Sequence, residues 1–148
     1  MQTNHSQRGA TLIEVMVTVL ILSTSLLGLA ALQNKSLQYN HSAYLRSQAN
    51  ILASDLLDRA RINRGNLAGY NLTVDATVTG TSVADQDLSA WRTNLSNALP
   101  NGTGGITCNN TGICTVTIQW SEKDATGVAD GNGRVDNSLS SFQYTTRI

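Results

Sequence analysis

The residue with the most distinctive chemical setting in this sequence is Glu14, a carboxylate at the start of an apolar stretch. Residues 15–34 contain no charged side chain, and a helix of about 20 apolar residues can cross the core of a bilayer. An ionisable residue buried in such a helix costs on the order of 2.5 to 3.5 kcal/mol, so its presence indicates a function. The alternative is that Glu14 lies at the membrane interface and complements the helix dipole.

A short polar leader precedes the apolar stretch and ends in Arg8, which is followed by Gly9. A secretory signal has a hydrophobic run of about 7 to 15 residues and a small-residue cleavage site behind it. Here the hydrophobic run is longer, and no Ala-x-Ala site follows it. Any processing is therefore expected in front of the helix.

The string Arg8-Gly9-Ala10-Thr11-Leu12-Ile13-Glu14-Val15 resembles the processing site of the type IV pilin family. The resemblance implies cleavage between Gly9 and Ala10 by a prepilin peptidase, methylation of the new amino group of Ala10, and a role for Glu14 in subunit assembly. Major pilins mostly have Phe at the position of Ala10 and usually carry a Pro in the second half of the helix. This chain has neither, which favours a minor subunit.

The role that the resemblance gives to Glu14 has a physical basis. A free amino group at Ala10 is largely protonated at neutral pH. In a fibre core without water, that amine and a carboxylate are each costly alone, and an unpaired buried charge is far worse than a matched pair. Pairing between the Ala10 amine and Glu14 of a neighbouring subunit would fix the axial register of the fibre.

The composition is that of a one-domain chain with part of its apolar content in an anchor. Its 148 residues are 41% hydrophobic and 14% charged, and ten basic residues balance ten acidic ones. The apolar pattern and the resemblance together imply a leader at 1–9, a transmembrane and assembly helix at 10–32, and a periplasmic domain at 33–148. A domain of this size translocates largely regardless of flanking charge, so the leader is expected in the cytoplasm.

The helix is predicted to continue over residues 10–64 and to end before Gly65, in the position of a helix-terminating glycine. One apolar stripe repeats at helical spacing, and a second apolar face follows seven-residue steps. The stripe comprises Leu45, Ala49, Leu52, Leu56 and Ala60, and the second face comprises Leu37, Tyr44 and Ile51.

Three arginines near this helix end, Arg59, Arg61 and Arg64, admit two interpretations. They could form a basic patch that binds DNA, as in pilins of natural competence, or be solvent-exposed charges that complement the helix dipole. Asp55 and Asp58 lie on the same segment and dilute any patch. Helix-end charges are the favoured interpretation, and the balanced net charge gives no argument for a nucleic-acid partner.

The remaining segments predict a small antiparallel sheet and one more helix. Residues 65–85 are expected to be an irregular connection with one short edge strand, and residues 85–99 a short amphipathic helix with Trp91 in the core. A β-hairpin is predicted around the turn at 109–112, with a final strand over 138–148. The fold class is therefore α+β: a long N-terminal helix packed on a small sheet, as in the type IV pilins that the chain resembles.

Cys108 and Cys114 face each other across the predicted hairpin turn. In the periplasm such a pair is expected to be oxidised to a disulfide. A redox pair or a zinc site is disfavoured, because the spacing is not C-x-x-C and no other thiol or nearby His is present. No metal or cofactor is expected, since residues 124–137 lack the closing Glu of a calcium loop and place Arg134 at a ligand position.

No pattern of catalytic residues is present, so an enzyme is not expected. His5 lies in the leader, and His41 stands alone on the long helix. The sequence also lacks a nucleophile elbow, a metal-binding His pair and a phosphate-binding glycine loop.

Several segments resemble minor pilins of the PilV family, the type IV pilus modification proteins, among them Leu26-Leu27-Gly28-Leu29-Ala30-Ala31 and Asp58-Arg59-Ala60-Arg61-Ile62. The resemblance implies a structural subunit that helps initiate or modify pilus assembly, and so serves twitching motility or adhesion. The implied partners are the prepilin peptidase, other minor and major pilins, the assembly machinery of the inner membrane, and its lipid before assembly. The alternatives are a pseudopilin of a type II secretion system and a DNA-uptake pilin.

Overall fold

The structure is a computed structural model that describes residues 11–122 and 139–148. The described residues form two α-helices, a 3₁₀ segment and a three-stranded antiparallel sheet. In chain order these are α1 (Leu12–Ile62), the 3₁₀ segment (Arg64–Tyr70), α2 (Val83–Ala98), β1 (Thr103–Cys108), β2 (Ile113–Ser121) and β3 (Leu139–Arg147). The chain divides within α1 into two compact units, Met1–Gln38 and Tyr39–Ile148, and the α+β prediction is confirmed.

The first unit contains the apolar half of α1, whose side chains are exposed. Leu12 is 79% exposed, Leu27 is 72% exposed and even Val15 is 51% exposed. In the described part of the chain, α1 is the helix that is long and apolar enough to cross a membrane. The hydroxyls of Thr18, Ser23, Thr24 and Ser25 donate hydrogen bonds to backbone carbonyls three or four residues earlier. Their donors are therefore satisfied within the helix, which lowers the cost of an apolar environment.

The second unit uses one face of the remaining half of α1 as its core. The buried residues of this face are Leu45, Ala49, Ala53, Leu56, Leu57 and Ala60. The predicted stripe is confirmed except at Leu52, which is only partly buried, because the face turns towards Ala53 and Leu57. Tyr44 and Ile51, predicted as a second apolar face, are both 57% exposed.

The predicted end of the long helix is wrong in its detail. Helix α1 ends at Ile62 rather than residue 64, and Gly65 lies inside the 3₁₀ segment rather than in a left-handed cap. The N–H of Asn63 still donates to the carbonyl of Arg59 at 3.2 Å, and the N–H of Asn66 donates to the carbonyl of Asn63 at 2.9 Å. The Arg59 carbonyl is thus satisfied by an ordinary helical hydrogen bond, and the three-residue bond that follows satisfies the Asn63 carbonyl without a left-handed glycine.

Helix α2 begins two residues earlier than predicted, because Ser82 and Asp85 form a capping box. The Asp85 N–H donates to the Ser82 hydroxyl oxygen at 3.2 Å, and the Ser82 N–H donates to the Asp85 carboxylate at 3.0 Å. Two N–H groups that lack a partner within the helix are thereby satisfied. Trp91 is fully buried, as predicted, and its indole N–H donates to the Leu52 carbonyl at 2.9 Å.

The sheet has the order β1-β2-β3, with both pairs antiparallel. The predicted hairpin and final strand are confirmed, and the inward residues of β2 alternate as expected: Cys114, Val116, Ile118 and Trp120 are buried. Before the sheet, the connection at 65–85 contains the 3₁₀ segment, which the sequence did not predict. Its edge pairing is one bridge between Leu72 and Ile106.

The β1–β2 turn is fixed by a disulfide and by one asparagine side chain. Cys108 and Cys114, which are opposite each other in the strand register, are joined by a disulfide. The Asn109 side-chain oxygen accepts hydrogen bonds from the N–H groups of Thr111 and Ile113 at 3.0 and 2.8 Å. Gly112 has a φ of 78°, a conformation that costs glycine little.

Substitution of Gly104 by Ala should destabilise the domain, because the added Cβ would lie 2.6 Å from the Trp91 ring and 2.9 Å from the Thr117 carbonyl oxygen. Overpacking of this kind costs about 1 to 3 kcal/mol. Gly65→Ala is the matched control, since a Cβ there meets nothing within 4 Å. Urea unfolding of the full chain in detergent measures both variants, and equal free energies of unfolding would contradict the packing described here.

Replacement of both Cys108 and Cys114 by Ser should lower the free energy of unfolding by about 2 kcal/mol, because the closed loop restricts the unfolded chain. The same loss should follow reduction of the wild-type chain with dithiothreitol. Denaturant titration gives the value for each form. Wild-type stability in the double variant would show that the turn is held by its hydrogen bonds alone.

Candidate assembly helix and charged sites of the domain

Glu14 lies in the first turn of α1. Its N–H donates to the Thr11 carbonyl at 3.0 Å, and the Val15 N–H donates to the same oxygen at 3.3 Å, so the helix starts immediately after Thr11. The Glu14 side chain is exposed and makes no hydrogen bond or ion pair within residues 11–122 and 139–148. Gly9 and Ala10, the predicted cleavage and methylation residues, lie outside the described residues.

Arg59, one of the three helix-end arginines, is held by two carboxylates. Its guanidinium donates to Asp55 at 3.1 Å and to Asp87 at 3.3 Å, and the hydrogen bond to Asp55 is the main cause that raises the pKa of Arg59. Tyr70 donates to the other oxygen of Asp87 at 2.6 Å. Burial is the main cause that raises the pKa of Tyr70, and the hydrogen bond to the Asp87 carboxylate is the second. These contacts tie α1, α2 and the 3₁₀ segment together.

The three helix-end arginines do not form one cationic surface. Arg59 is paired as above, and Arg61 donates to Asp58. Arg64 has no ion pair within the described residues, and it lies beside a cleft that also includes Arg147. The sequence interpretation of helix-end charges thus fits Arg61, whereas Arg59 serves the packing of the domain.

Arg92 of α2 holds the loop that follows the 3₁₀ segment. Its guanidinium donates to the carbonyls of Thr73 at 2.8 Å, Val74 at 2.7 Å and Gly104 at 2.8 Å, and to that of Ala76. Burial lowers the pKa of Arg92. The guanidinium of Arg92 is thus bound by backbone carbonyls rather than by a carboxylate, and these hydrogen bonds connect the loop to β1.

Glu122, directly after β2, accepts a hydrogen bond from the Ser140 hydroxyl of β3 at 2.7 Å. Burial alone would raise the pKa of Glu122, but the hydroxyls of Ser42 and Ser140, the Trp120 N–H and the charge of Arg46 together lower it. The Trp120 indole nitrogen does not reach hydrogen-bonding geometry and has no partner in the described part of the chain, so it acts as a nearby dipole. Glu122 thus connects α1 to both strands.

No cluster of three or more His, Cys, Asp or Glu residues that could hold a metal ion exists within the described residues. His41 is exposed on α1. The segment 124–137, in which the sequence predicts no calcium site, lies outside the described residues. The cysteines are joined in the disulfide and offer no thiol.

The N-terminal segment of the chain matches a known processing motif. Residues 4–30 match the model of the prokaryotic N-terminal methylation motif, which marks proteins made as prepilins. This motif implies processing by a prepilin peptidase and assembly with other pilins. The apolar helix that follows suggests membrane anchoring and incorporation into a pilus.

The family follows from the rest of the chain. Residues 31–125 match the Tt1218-like model, described as type IV pilin Tt1218, which is more than half of the 148 residues. The chain therefore belongs to the type IV pilin family, whose members are structural rather than enzymatic. Searches of curated proteins and of solved structures gave no match.

Several residues of these charged sites were not identified from the sequence. The sequence predicts no role in these sites for Asp87, Arg92, Glu122 or Arg147. The capping box at Ser82 had a visible signal, a Ser followed three residues later by Asp before an apolar repeat. The partners of Arg92 and Glu122 come from distant segments, and no local spacing reveals them.

The lowered pKa of Glu122 makes part of the stability of the domain depend on pH. Because the folded-state pKa is below the unfolded one, this stability is present above the unfolded value and is lost as the pH falls through the folded value. Glu122→Gln should cost about 1 kcal/mol at pH 7 and less at pH 3. Asp58→Asn, in an exposed ion pair, is the control. Urea unfolding at several pH values measures both, and a pH-independent loss for Glu122→Gln would contradict this role.

Proposed function

We propose that the chain is a minor type IV pilin of the PilV type, a structural subunit that helps initiate or modify pilus assembly. The observation that carries the proposal is the methylation motif at residues 4–30. It is followed by a helix whose apolar side chains are exposed and whose first turn carries Glu14, a residue with no ion pair among the described residues. An apolar surface of this length needs lipid or neighbouring subunits to cover it.

In this proposal the prepilin peptidase cleaves after Gly9 and removes the leader at 1–9, and Ala10 becomes the methylated N-terminus. The helix at 10–32 anchors the precursor in the inner membrane, with the N-terminus in the cytoplasm and the domain at 33–148 in the periplasm. The assembly machinery of the inner membrane then transfers the subunit from lipid into the fibre at the cell surface. Exchange of lipid for other pilins keeps the apolar side chains away from water throughout.

Glu14 would set the position of the subunit during this transfer. Within the described residues its carboxylate has no partner, and the first turn of α1 leaves it exposed beside the N-terminal end of the helix. A carboxylate in an apolar fibre is costly unless a cation meets it. The free amine of Ala10 on an adjacent subunit is the group proposed to do so, and their pairing would fix the axial register between subunits.

A minor rather than a major role is supported by Ala10 at the first mature position and by the absence of Pro in α1. Twitching motility and adhesion are the processes that such a subunit would serve. A pseudopilin of a type II secretion system shares the leader and the helix, but its assembly stays in the periplasm. The ion pairs of Arg59 and Arg61 give no support to a DNA-uptake pilin.

Mass spectrometry of sheared pili tests the proposal directly. We expect a low-abundance chain that begins at methylated Ala10 and contains the Cys108–Cys114 disulfide. A chain that still begins at Met1 in a fibre would overturn the processing. Absence from extracellular fibres, together with recovery of the processed chain from the periplasmic side of a secretion complex, would favour the pseudopilin.

Glu14→Ala should insert into the membrane normally but enter fibres at least tenfold less than wild type, because the amine of a neighbouring subunit loses its partner. Ser23→Ala is the matched control, since the Ser23 hydroxyl donates to the Val19 carbonyl within its own helix. Immunoblots of membrane and sheared-fibre fractions give the two amounts. Normal incorporation of Glu14→Ala would contradict the assigned role.

A further inference from the structure

A cleft of about 590 Å³ lies at one end of the domain. Its walls come from the 3₁₀ segment, the β1–β2 turn and the end of β3, and they include Arg64, Leu67, Asn71, Asn109, Gly112 and Arg147. Sites for small molecules typically have volumes of about 300 to 1,000 Å³. The volume therefore suits a ligand of the size of a monosaccharide derivative.

The charge of this cleft is positive. Arg64 and Arg147 lie far apart in the sequence, and the fold brings both to one cleft. Neither makes a hydrogen bond or ion pair within residues 11–122 and 139–148, and no Asp or Glu of these residues lines the cleft. This differs from Arg59 and Arg92, whose guanidinium groups are held by carboxylates or carbonyls.

Two neutral polar side chains of the lining, those of Asn71 and Asn109, leave hydrogen-bond donors. The Asn71 side-chain oxygen accepts the N–H of Cys108 at 2.6 Å, and the Asn109 side-chain oxygen accepts the N–H groups of Thr111 and Ile113. Both amide NH₂ groups have no acceptor within the described part of the chain. A ligand that satisfies two guanidinium groups and two amide NH₂ groups must supply hydrogen-bond acceptors, and an oxyanion supplies several of them together with a negative charge.

We propose that this cleft binds a small molecule that carries an oxyanion, either a carboxylate or a phosphate. Arginine binds both groups through paired N–H donors, and such charge-assisted hydrogen bonds are about twice as strong as neutral ones. The turn that forms one wall is fixed by the disulfide and by Asn109, so little ordering cost accompanies binding. The proposal is independent of the position of the subunit in a pilus.

The test uses the full chain in non-ionic detergent, titrated with three matched sugars: glucose, glucuronate and glucose 6-phosphate. Isothermal calorimetry should show saturable binding of at least one anionic sugar and binding at least tenfold weaker for glucose. The comparison of glucuronate with glucose 6-phosphate identifies the preferred oxyanion. Amide NMR shifts on titration should concentrate at Asn71, Asn109 and Gly112.

Arg64→Gln and Arg147→Gln should each weaken binding about tenfold, the effect of losing one charge-assisted interaction. Arg61→Gln is the control, because Arg61 is also exposed but donates to Asp58 and does not line the cleft. Equal binding of glucose and both anions, or equal loss in all three variants, would overturn the proposal. Binding of duplex DNA without binding of either anionic sugar would also overturn it.

Discussion

The globular domain depends on the burial of one face of α1. Ala49, Ala53 and Ala60 on that face are fully buried, and their small side chains leave room for side chains of other elements beside the helix backbone. The indole of Trp91 is therefore able to donate to the Leu52 carbonyl at 2.9 Å. A larger residue at these alanines would push the neighbouring elements outwards, since protein interiors are close-packed. The apolar face thus positions both α2 and the sheet.

Ionic groups hold the edges of this core together. Within the described residues no charged side chain is fully buried, yet Arg59, Arg92 and Glu122 each join segments far apart in sequence. Half-buried charges of this kind keep part of their hydration while they gain a directional partner. They fix the loop at 73–76 and the strand ends, where apolar packing is sparse. The domain therefore uses hydrophobic burial for its interior and charge-assisted hydrogen bonds for its perimeter.

Elements with strong periodicity were predictable from the sequence, whereas helix ends and distant pairings were not. The apolar repeats of α1 and α2, and the alternation around Cys114 in β2, each correspond to one buried face. Burial of one face requires apolar residues at a fixed spacing, and this spacing is visible in the sequence. The 3₁₀ segment has no such repeat and depends on the tertiary contacts of Tyr70. At the candidate sites, Glu14 was evident because a carboxylate beside an apolar stretch is rare. The proximity of Arg64 and Arg147 depends on the pairing of β3 with β2 and on the position of the 3₁₀ segment, and local spacing encodes neither.

The arginines of the domain fall into two groups. Those of one group are bonded within the domain and stabilise its fold, and those of the other can bind a ligand. Arg59 and Arg92 are bonded on several sides, and their replacement would disturb the fold before any binding event. Arg64 and Arg147 have no such bonds within residues 11–122 and 139–148, so selection can change them without loss of the core. The first unit carries the charge of Glu14, which has no partner among the described residues and lies among side chains that suit lipid or other helices. The proposed assembly role of Glu14 and the proposed ligand site therefore rest on different residues, and either can vary while the other is retained.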